Sequence, residues 1–357
     1  MTQILDGKAT SLAIEAELTQ AVDARVASGL KRPHLAAILV GDNPASRAYV
    51  GHKVKACARV GFESTLVEHP ADITQEALLD AVHALNNDPS IDGFIVQLPL
   101  PDHIDDQRIL EAVVPEKDVD GFHPINAGKM ALGLPCFLPA TPKGIMTMLE
   151  RSGIETSGKH AVILGRSSIV GTPMALLLRR NGAPGNCTVT VCHSRTRDLE
   201  AHCRAADVIV AAVGVTELVK GSWVKEGAVV LDVGINRGED GKLRGDVDFA
   251  AASERASAIT PVPGGVGPGP QHRARHPRGD LTVGLTPGRG PWVAQMPPVA
   301  GVAQRSVARR DPLALEDVGG LDQFVIGDLG IVDHRHGRID DFAEIMRGNV
   351  GGHADGN

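Results

Sequence analysis

The chain has few of the residues that would tie it to a membrane, an oxidising compartment or nucleic acid. Its five cysteines are odd in number and form no C-x-x-C pair, which argues against a disulfide framework or a zinc site. The formal net charge is −7, so no basic field for nucleic acid is present. No run approaches the roughly 20 apolar residues of a membrane span. The N-terminus lacks the charged-then-apolar layout of a signal peptide, and we therefore expect a cytoplasmic protein.

The signatures of several enzyme classes are also missing. The sequence contains no H-E-x-x-H and no Cys/His cluster with metal-ligand spacing, so no metal site is predicted. Neither a P-loop lysine nor a G-x-S-x-G elbow is present. With 357 residues and an apolar fraction of 43%, the chain is still long enough for two domains or slightly more. Among the enzyme chemistries considered, hydride and proton transfer without a metal ion is the one that these missing motifs do not exclude.

Strand and helix signals alternate along the first three quarters of the chain. Amphipathic patterns predict helices over residues 8–28, 46–60 and 74–86. Apolar runs predict strands over residues 34–40, 64–68 and 91–98, and then near 160–165, 189–193, 207–212 and 228–233. Residues 115–145 are rich in turn residues and are interpreted as a hinge with functional loops. Alternation of this kind predicts mostly parallel sheets with helices on both faces.

The pattern divides the chain into three parts. Residues 1–140 are predicted to form one α/β domain, and residues 141–268 a second domain of the Rossmann type. Residues 269–357 are rich in Pro, Gly, Arg and His without a sustained period, so we expect a largely irregular, poorly ordered tail. The predicted fold class is therefore α/β, with two α/β domains flanking a cleft.

The stretch AVILGRSSIVG, from Ala161 to Gly171, is the most informative in the chain. An apolar run ends on Gly165, a polar turn follows, and a segment with helical period begins at Met174. A buried strand that feeds a helix through such a turn places free backbone N–H groups and a helix dipole where a phosphate can bind. Serine and valine replace the second and third glycines of G-x-G-x-x-G, so this is a variant of the dinucleotide fingerprint.

Cofactor choice is predicted from the end of the second strand of this unit. Dinucleotide enzymes that use NAD place an Asp or Glu there, on the ribose 2′-hydroxyl. This chain instead has His193, Ser194, Arg195 and Thr196, and cations with hydroxyls suit a 2′-phosphate. With Arg166 in the first turn, the pattern favours NADP. The same residues could also be solvated loop positions, and use of both cofactors stays open.

Tyr49 and Lys53 form Y-x-x-x-K inside a predicted helix. Four-residue spacing places the phenol and the amine on one helix face, where the lysine could donate or accept a proton. A surface lysine beside a core tyrosine would give the same spacing. Short-chain dehydrogenases also use this pair, but there it follows the glycine-rich turn, whereas here it precedes it.

Other candidate residues lie where the first domain's strands end. Gln97 ends a predicted buried strand, a position where α/β sheets bind ligands, although a strand-end amide can simply satisfy nearby backbone. Asp118 and Asp120 could accept hydrogen bonds from an amino-heterocycle or could only make a turn. His123, next to a proline, could be a ligand but is more often structural.

Five sequence blocks occur in a fixed order, and together they carry a resemblance. They are YVGHK (49–53), VQLPLP (96–101), KDVDGFHP (117–124), GRSSIVG (165–171) and TPVPGGVGP (260–268). The chain from residue 1 to residue 268 resembles the bifunctional methylenetetrahydrofolate dehydrogenase/methenyltetrahydrofolate cyclohydrolase family. This resemblance implies oxidation of 5,10-methylenetetrahydrofolate with NADP, followed by hydrolysis of the methenyl product to 10-formyltetrahydrofolate in the same cleft.

The resemblance also implies roles for individual residues. Lys53 would handle the proton in cyclohydrolysis, Gln97 would hydrogen-bond and tune it, and Tyr49 would stack on or position the folate. Asp120 would anchor the pterin ring. Further substrate contacts would come from Val96, Leu98, Pro263, Gly264, Gly265 and Val266. Cofactor contacts would come from Gly165, Arg166, Ser167, Ser194, Arg195 and, near the nicotinamide, Ile235 of the DVGIN block. The family further suggests a homodimer formed through the cofactor domain.

Two departures from the family pattern stand out. Ala140 replaces the cysteine of Cys-Thr-Pro, a swap we expect to be harmless. After V-G-P the family continues with Met-Thr and a long apolar helix, whereas this chain has Gly-Pro-Gln-His-Arg from residue 269. We hypothesise a shifted reading frame or a replaced terminus. The alternatives are a catalytically impaired folate- and NADP-binding remnant, a dehydrogenase without cyclohydrolase activity, and a shikimate dehydrogenase-like oxidoreductase.

Overall fold

The computed structural model describes residues 1–238 and 240–267. The predicted tail, residues 269–357, lies outside the described residues, so its irregularity stays a prediction. The first elements are β1 (Gln3–Ile4), α1 (Gly7–Ala27), β2 (His34–Val40), α2 (Pro44–Val60), β3 (Glu63–His69), α3 (Gln75–Asn87), β4 (Gly93–Val96), α4 (Asp106–Ala112), α5 (Pro124–Ala131) and α6 (Ala140–Arg151). There follow β5 (His160–Leu164), α7 (Gly171–Arg179), β6 (Thr188–Cys192), α8 (Leu199–Ala205), β7 (Val208–Ala211), a 3-10 helix (Gly221–Trp223), β8 (Val229–Asp232), β9 (Asn236–Arg237), β10 (Leu243–Arg244), α9 (Phe249–Ser253) and β11 (Ala258–Ile259).

A three-stranded parallel sheet of order β3-β2-β4 forms the centre of the first region. β2 is buried on both faces, which explains why its sequence is an unbroken apolar run instead of an alternation. Alternate β2 residues enter two hydrophobic clusters. The cluster shared with α1 and α2 contains Leu35, Ala37 and Leu39, and the cluster shared with α3 and α4 contains Ala36, Ile38 and Val40.

A six-stranded sheet of order β1-β11-β8-β7-β5-β6, with every pair parallel, forms the second region. The four strands predicted from residue 160 onward correspond to β5, β6, β7 and β8, with ends shifted by one residue at most. The predicted α/β fold with parallel sheets and a Rossmann-type second unit is confirmed.

The sequence analysis missed several elements, among them β1, α5 and α6. β1 contributes two exposed residues to the far edge of the second sheet, where Gln3 pairs with Ala258 and Ile4 with Ile259. The stretch 115–145 was expected to be turn-rich, but it contains α5 and the beginning of α6. α5 begins at Pro124, whose fixed φ suits the first helical position.

Helix α2, which carries the Tyr49 and Lys53 pair, has well-defined ends. Asn43 accepts hydrogen bonds from the backbone N–H groups of Ala45 and Ser46, and a proline occupies the first helical turn. Gly61 ends the helix at φ +81°, a conformation that glycine adopts without strain. These caps fix where the helix starts and stops, and therefore which residues face the sheet.

None of the helices in the described part of the chain combines the length and the apolar character needed to cross a bilayer.

Candidate active site

Lys53 and Tyr49 lie together on the face of α2 that packs on the sheet. Lys53 is only 6% exposed, and its Nζ lies 4.7 Å from the centroid of the Tyr49 ring. A cation over an aromatic face is attracted by the ring quadrupole, and more strongly when water is excluded. The pair predicted from spacing is therefore a real side-chain contact, and the alternative of a surface lysine is wrong.

Asp120 faces the same amine. Its Oδ1 lies 3.9 Å from Lys53 Nζ, which is an ion pair too long to be a hydrogen bond. Within the described residues, Nζ makes no hydrogen bond to another protein atom, so its N–H donors are available to a ligand. Cys57, one turn further along α2, brings no competing charge, because burial raises the pKa of its thiol to about 11.

Gln97 directly follows β4, at the carboxyl end of the first sheet. Its Nε2 donates to the Leu98 carbonyl oxygen at 2.7 Å, while its Oε1 is buried without a hydrogen-bond partner. Buried acceptors nearly always have a donor, so an orphaned oxygen here is suited to receive one from a ligand or a neighbouring amine. Val96 points elsewhere, because its side chain belongs to the core cluster shared with α3 and α4.

The two aspartates of KDVDGFHP have different surroundings. Asp118 is 5% exposed and accepts hydrogen bonds from His123 N, Phe122 N and Asn126 Nδ2. Burial raises the pKa of its carboxyl, and these hydrogen bonds oppose that shift. His123 caps α5 through Nδ1, which accepts from Ile125 N at 3.0 Å. Asp118 and His123 therefore build the turn that holds Asp120 near Lys53.

Residues 263–266 lie against the start of α1. Gly7 N donates to the Gly264 carbonyl oxygen at 3.0 Å, and a Cβ at Gly7 would fall 1.6 Å from the Gly265 oxygen. Gly264 has φ +102°, where only glycine is unstrained. Pro263 is exposed, and Val266 packs on the core of the second sheet. No measured contact joins these residues to Lys53, so their place in the substrate site stays a prediction.

The glycine turn after β5 permits close approach of backbone. A Cβ at Gly165 would lie 2.4 Å from the Ala212 oxygen, and a Cβ at Gly171 would lie 2.2 Å from the Gly165 oxygen. Ser167 Oγ accepts from Val170 N and Gly171 N at the start of α7. Arg166 and Ser167 are exposed. An open turn of this kind at a helix N-terminus fits the pyrophosphate of a dinucleotide.

The neighbouring strand β6 ends in a turn that is closed by its own side chains. His193 N donates to Thr196 Oγ1 at 2.9 Å, and Arg195 N donates to His193 Nδ1 at 3.1 Å. Ser194 and Arg195 are left exposed at the turn's tip. Asp198, the first acid after the turn, caps α8 by accepting from Ala201 N. No acid is therefore placed on a ribose 2′-hydroxyl here, and the exposed cation and hydroxyl fit a 2′-phosphate.

The sequence analysis missed a pair of buried carboxyls on the cofactor side. Asp232 is 3% exposed and Asp246 fully buried, and their hydrogen bonds flank Ile235 on both sides. Asp232 lay within the quoted DVGIN block without a role, and no motif pointed to Asp246. In the described part of the chain, no group of three or more His, Cys, Asp or Glu side chains could hold a metal ion.

Comparison with known protein families gives two matches that together span most of the described chain. Residues 5–120 match the catalytic domain of tetrahydrofolate dehydrogenase/cyclohydrolase, and residues 139–270 match the NAD(P)-binding domain of the same family.

Individual relatives agree with these matches. The bifunctional protein FolD of Azobacteroides pseudotrichonymphae is 55% identical over 271 residues, which cover 74% of this chain and 92% of that protein. The same protein of Flavobacterium johnsoniae is 56% identical over 272 residues, with the same two shares.

Solved structures are similar as well. The bifunctional FolD methylenetetrahydrofolate dehydrogenase/cyclohydrolase of Campylobacter jejuni is 50% identical with a TM-score of 0.72, covering 75% of this chain and 94% of that one. The Trypanosoma brucei FolD, complexed with NADP cofactor and inhibitor, is 42% identical with a TM-score of 0.69, covering 74% and 92%.

Proposed function

The chain belongs to the tetrahydrofolate dehydrogenase/cyclohydrolase family, and we propose that the buried amine of Lys53 is the group on which its hydrolytic reaction depends. The chain oxidises 5,10-methylenetetrahydrofolate to 5,10-methenyltetrahydrofolate with NADP, and then hydrolyses this product to 10-formyltetrahydrofolate. The observation that carries the proposal is that the buried Lys53 Nζ lies 4.7 Å from the Tyr49 ring centroid and 3.9 Å from Asp120 Oδ1, without a hydrogen bond to the described residues.

Hydrolysis needs a base for the attacking water and an acid for the leaving nitrogen. Water adds to the methenyl carbon between N5 and N10, and the proton it loses has to be taken up. The hydroxyl of this adduct then loses its own proton as the carbonyl forms, the bond from that carbon to N5 breaks, and N5 receives a proton. Of the two protons of water, one therefore ends on N5 and one leaves to solvent. A lysine that alternates between amine and ammonium can perform both transfers. Lys53 has the burial and the unused donors for this role.

Neighbouring side chains orient the amine and the substrate in this proposal. Asp120 lies beside the Lys53 amine and accepts hydrogen bonds from the pterin ring. Gln97 presents an unpartnered Oε1 that can accept from the Lys53 ammonium or from the substrate. Tyr49 offers a ring face on which the folate can stack. Leu98 and the 263–266 loop supply further substrate contacts.

When bound, NADP accepts the hydride that the methylene carbon loses. The cationic product is delocalised over the two folate nitrogens, so the protein has to align the reactants more than to supply an acid. We propose that the turn of Gly165, Arg166 and Ser167 binds the pyrophosphate, that Ser194 and Arg195 with Arg166 bind the 2′-phosphate, and that Ile235 lies near the nicotinamide.

Domain limits, assembly and location are also proposals. A folate-binding domain over 1–140 and an NADP-binding domain over 141–268 are supported by the two separate sheets, although β1 pairs in the second. Residues 269–357 remain a third part on sequence grounds. A homodimer through the cofactor domain is supported by β6, an edge strand of the described six-stranded sheet, where Val191 is 38% exposed. Five buried unpaired thiols support a cytoplasmic location.

A single assay tests the proposed function. Purified protein is given 5,10-methylenetetrahydrofolate with NADP or NAD, and formation of reduced nucleotide and of 10-formyltetrahydrofolate is followed. We expect both products, with NADP preferred. Reduced nucleotide without 10-formyltetrahydrofolate would favour the dehydrogenase-only alternative. Absence of both would favour the impaired remnant, which the two family matches and the assembled Lys53 site do not favour.

A further inference from the structure

Two carboxylates are buried at the carboxyl end of the second sheet. Asp232 is the last residue of β8, and Asp246 follows β10 by two positions. They are 3% and 0% exposed, and neither forms a salt bridge with a described residue. Carboxylates removed from water without a cation need full hydrogen bonding, so the donors around this pair indicate what the pair organises.

Asp246 joins two segments that follow neighbouring strands. Its Oδ2 accepts from the backbone N–H groups of Val213 and Gly214, at 2.7 and 2.8 Å. Its Oδ1 accepts from Asn236 Nδ2 at 2.9 Å. Val213 and Gly214 follow β7, and Asn236 begins β9 shortly after β8, so a single carboxylate fixes both segments at the edge where α/β sheets bind their ligands.

Asp232 holds Asp246 in place. Its Oδ1 accepts from Asp246 N and Gly234 N, and its Oδ2 accepts from Val247 N, each at 2.9 Å. Close packing leaves no room for side chains beside these groups. A Cβ at Gly234 would lie 2.2 Å from Asp246 Cγ, and a Cβ at Gly245 would lie 1.8 Å from Asp232 Oδ2. The two glycines are therefore needed for the carboxylates to reach their donors.

The segment that Asp246 fixes is the one that lies against the glycine turn. The Ala212 oxygen, one residue before Val213, would be 2.4 Å from a Cβ at Gly165. On the other side, Ile235 stands between Gly234, bonded by Asp232, and Asn236, bonded by Asp246. The carboxylate pair thus joins the wall beside Gly165 to the segment that carries Ile235.

We propose that Asp246, held by Asp232, is a positioning residue for NADP: it fixes the 212–214 segment and Ile235 at the spacing that the cofactor requires. This inference rests on the proposed function, in which the Gly165 turn and Ile235 bind NADP. Asp246 acts only through backbone and Asn236, without touching the cofactor. The side-chain partners of Asp246 are Val213, Gly214 and Asn236, so its effect should fall on the nucleotide and not on the hydrolytic site around Lys53.

Asp246→Asn tests the proposal, because it keeps the shape and removes one acceptor and the charge. NADP affinity is measured by isothermal titration calorimetry, and cyclohydrolase activity is measured on 5,10-methenyltetrahydrofolate without nucleotide. We expect the Kd for NADP to rise about tenfold, as loss of the negative charge that strengthens the hydrogen bonds of two N–H groups implies, and cyclohydrolase activity to stay within about twofold. Asp240→Asn, in the exposed β9–β10 hairpin, is the matched control and should change neither.

A second variant keeps the test decisive if Asp246→Asn does not fold. Asn236→Ala removes a half-buried partner of Asp246 and should raise the Kd for NADP about threefold. An unchanged Kd in either folded variant, or an equal loss of NADP binding and nucleotide-free cyclohydrolase activity, would overturn the inference. Failure of the proposed function is distinguishable, since the unmodified protein would then bind no NADP, and the inference would fall with it.

Discussion

A buried amine lies beside the first sheet and two buried carboxyl groups lie beside the second, and their hydrogen bonding differs. Beside the first sheet, the Lys53 ammonium has a ring and one carboxylate nearby but no hydrogen bond to the described residues. Beside the second, Asp232 and Asp246 have an N–H donor on every carboxylate oxygen. A buried group left unsatisfied is ready to act on a ligand, whereas a saturated one holds protein segments in place.

The comparison has an energetic side. An ammonium buried without full hydrogen bonding lowers the free energy of unfolding, so its retention needs a reason other than stability. Saturated carboxylates that join separate segments contribute to local order, because removing one leaves several donors unpaired. Removal of the Lys53 charge should therefore reduce activity but not stability in the first region. Removal of a carboxylate acceptor should reduce local order in the second.

The largest effect is expected from Lys53→Met, which replaces the amine by an apolar side chain of similar length. Cyclohydrolase turnover of 5,10-methenyltetrahydrofolate should fall by at least about a hundredfold, since general acid–base groups contribute ~10²–10⁴. Unfolding by urea should show equal or greater stability, because a buried charge is removed.

Lys55→Met is the matched control, because Lys55 is exposed on the same helix two residues away. It should change neither turnover nor stability. Undiminished turnover in Lys53→Met would refute the role of this lysine, and a marked loss of stability would remove the contrast between the two regions.

Features formed by residues close together in the sequence were predicted better than features formed by distant residues. β2 was predicted at its observed ends because burial on both faces leaves an unbroken apolar run. β1 left no such signal, since its two exposed residues form a strand only by pairing with β11, at the other end of the described chain. Only the family resemblance separated Asp120 from Asp118, because the physical distinction comes from the donors of His123 and Asn126.

The same limit applies to the candidate sites. The Tyr49 and Lys53 pair follows from helical spacing, which acts within one turn. The glycine turn after β5 follows from a strand-to-helix pattern over about ten residues. Asp246 has no local pattern at all, because the two backbone N–H groups that it binds lie more than thirty residues earlier. Local chemistry was predicted, and chemistry assembled across the chain was not.

A smaller effect is expected from Gly165→Ala, which tests whether the second region depends on close backbone approach. The added methyl would lie 2.4 Å from the Ala212 oxygen, at φ +114°. The 212–214 segment would have to move, and the Kd for NADP should rise about tenfold or less while nucleotide-free cyclohydrolase activity is kept. Gly128→Ala, in α5 with open space at its Cβ, is the control. Equal loss of both activities would show that the two regions are not separable.

The smallest effect is expected in the pH dependence of stability. It tests whether the N–H donors around the Asp232 carboxylate fully offset the cost of burying it. Burial raises the pKa of Asp232 to about 7, and the N–H groups of Asp246, Val247 and Gly234 only partly oppose the shift. In the unfolded chain the value is about 3.9. The folded state therefore binds the proton more tightly, so this group's contribution to the free energy of unfolding is greatest below about pH 4 and declines as the pH rises to about 7.

Urea unfolding of the unmodified protein and of Asp232→Asn between about pH 5 and about pH 8 measures this contribution. A protonated carboxyl and an amide are similar in shape, so the two proteins should differ least at the acidic end. As the pH rises, the difference should move in favour of the variant by at most about 1.4 kcal/mol per pH unit. A difference that does not change with pH would mean that the N–H donors fully offset burial. The ionised Asp232 carboxylate would then cost the folded state no free energy. The difference between this group and the Lys53 amine, which lacks hydrogen bonds to the described residues, would be larger than the pKa of Asp232 implies.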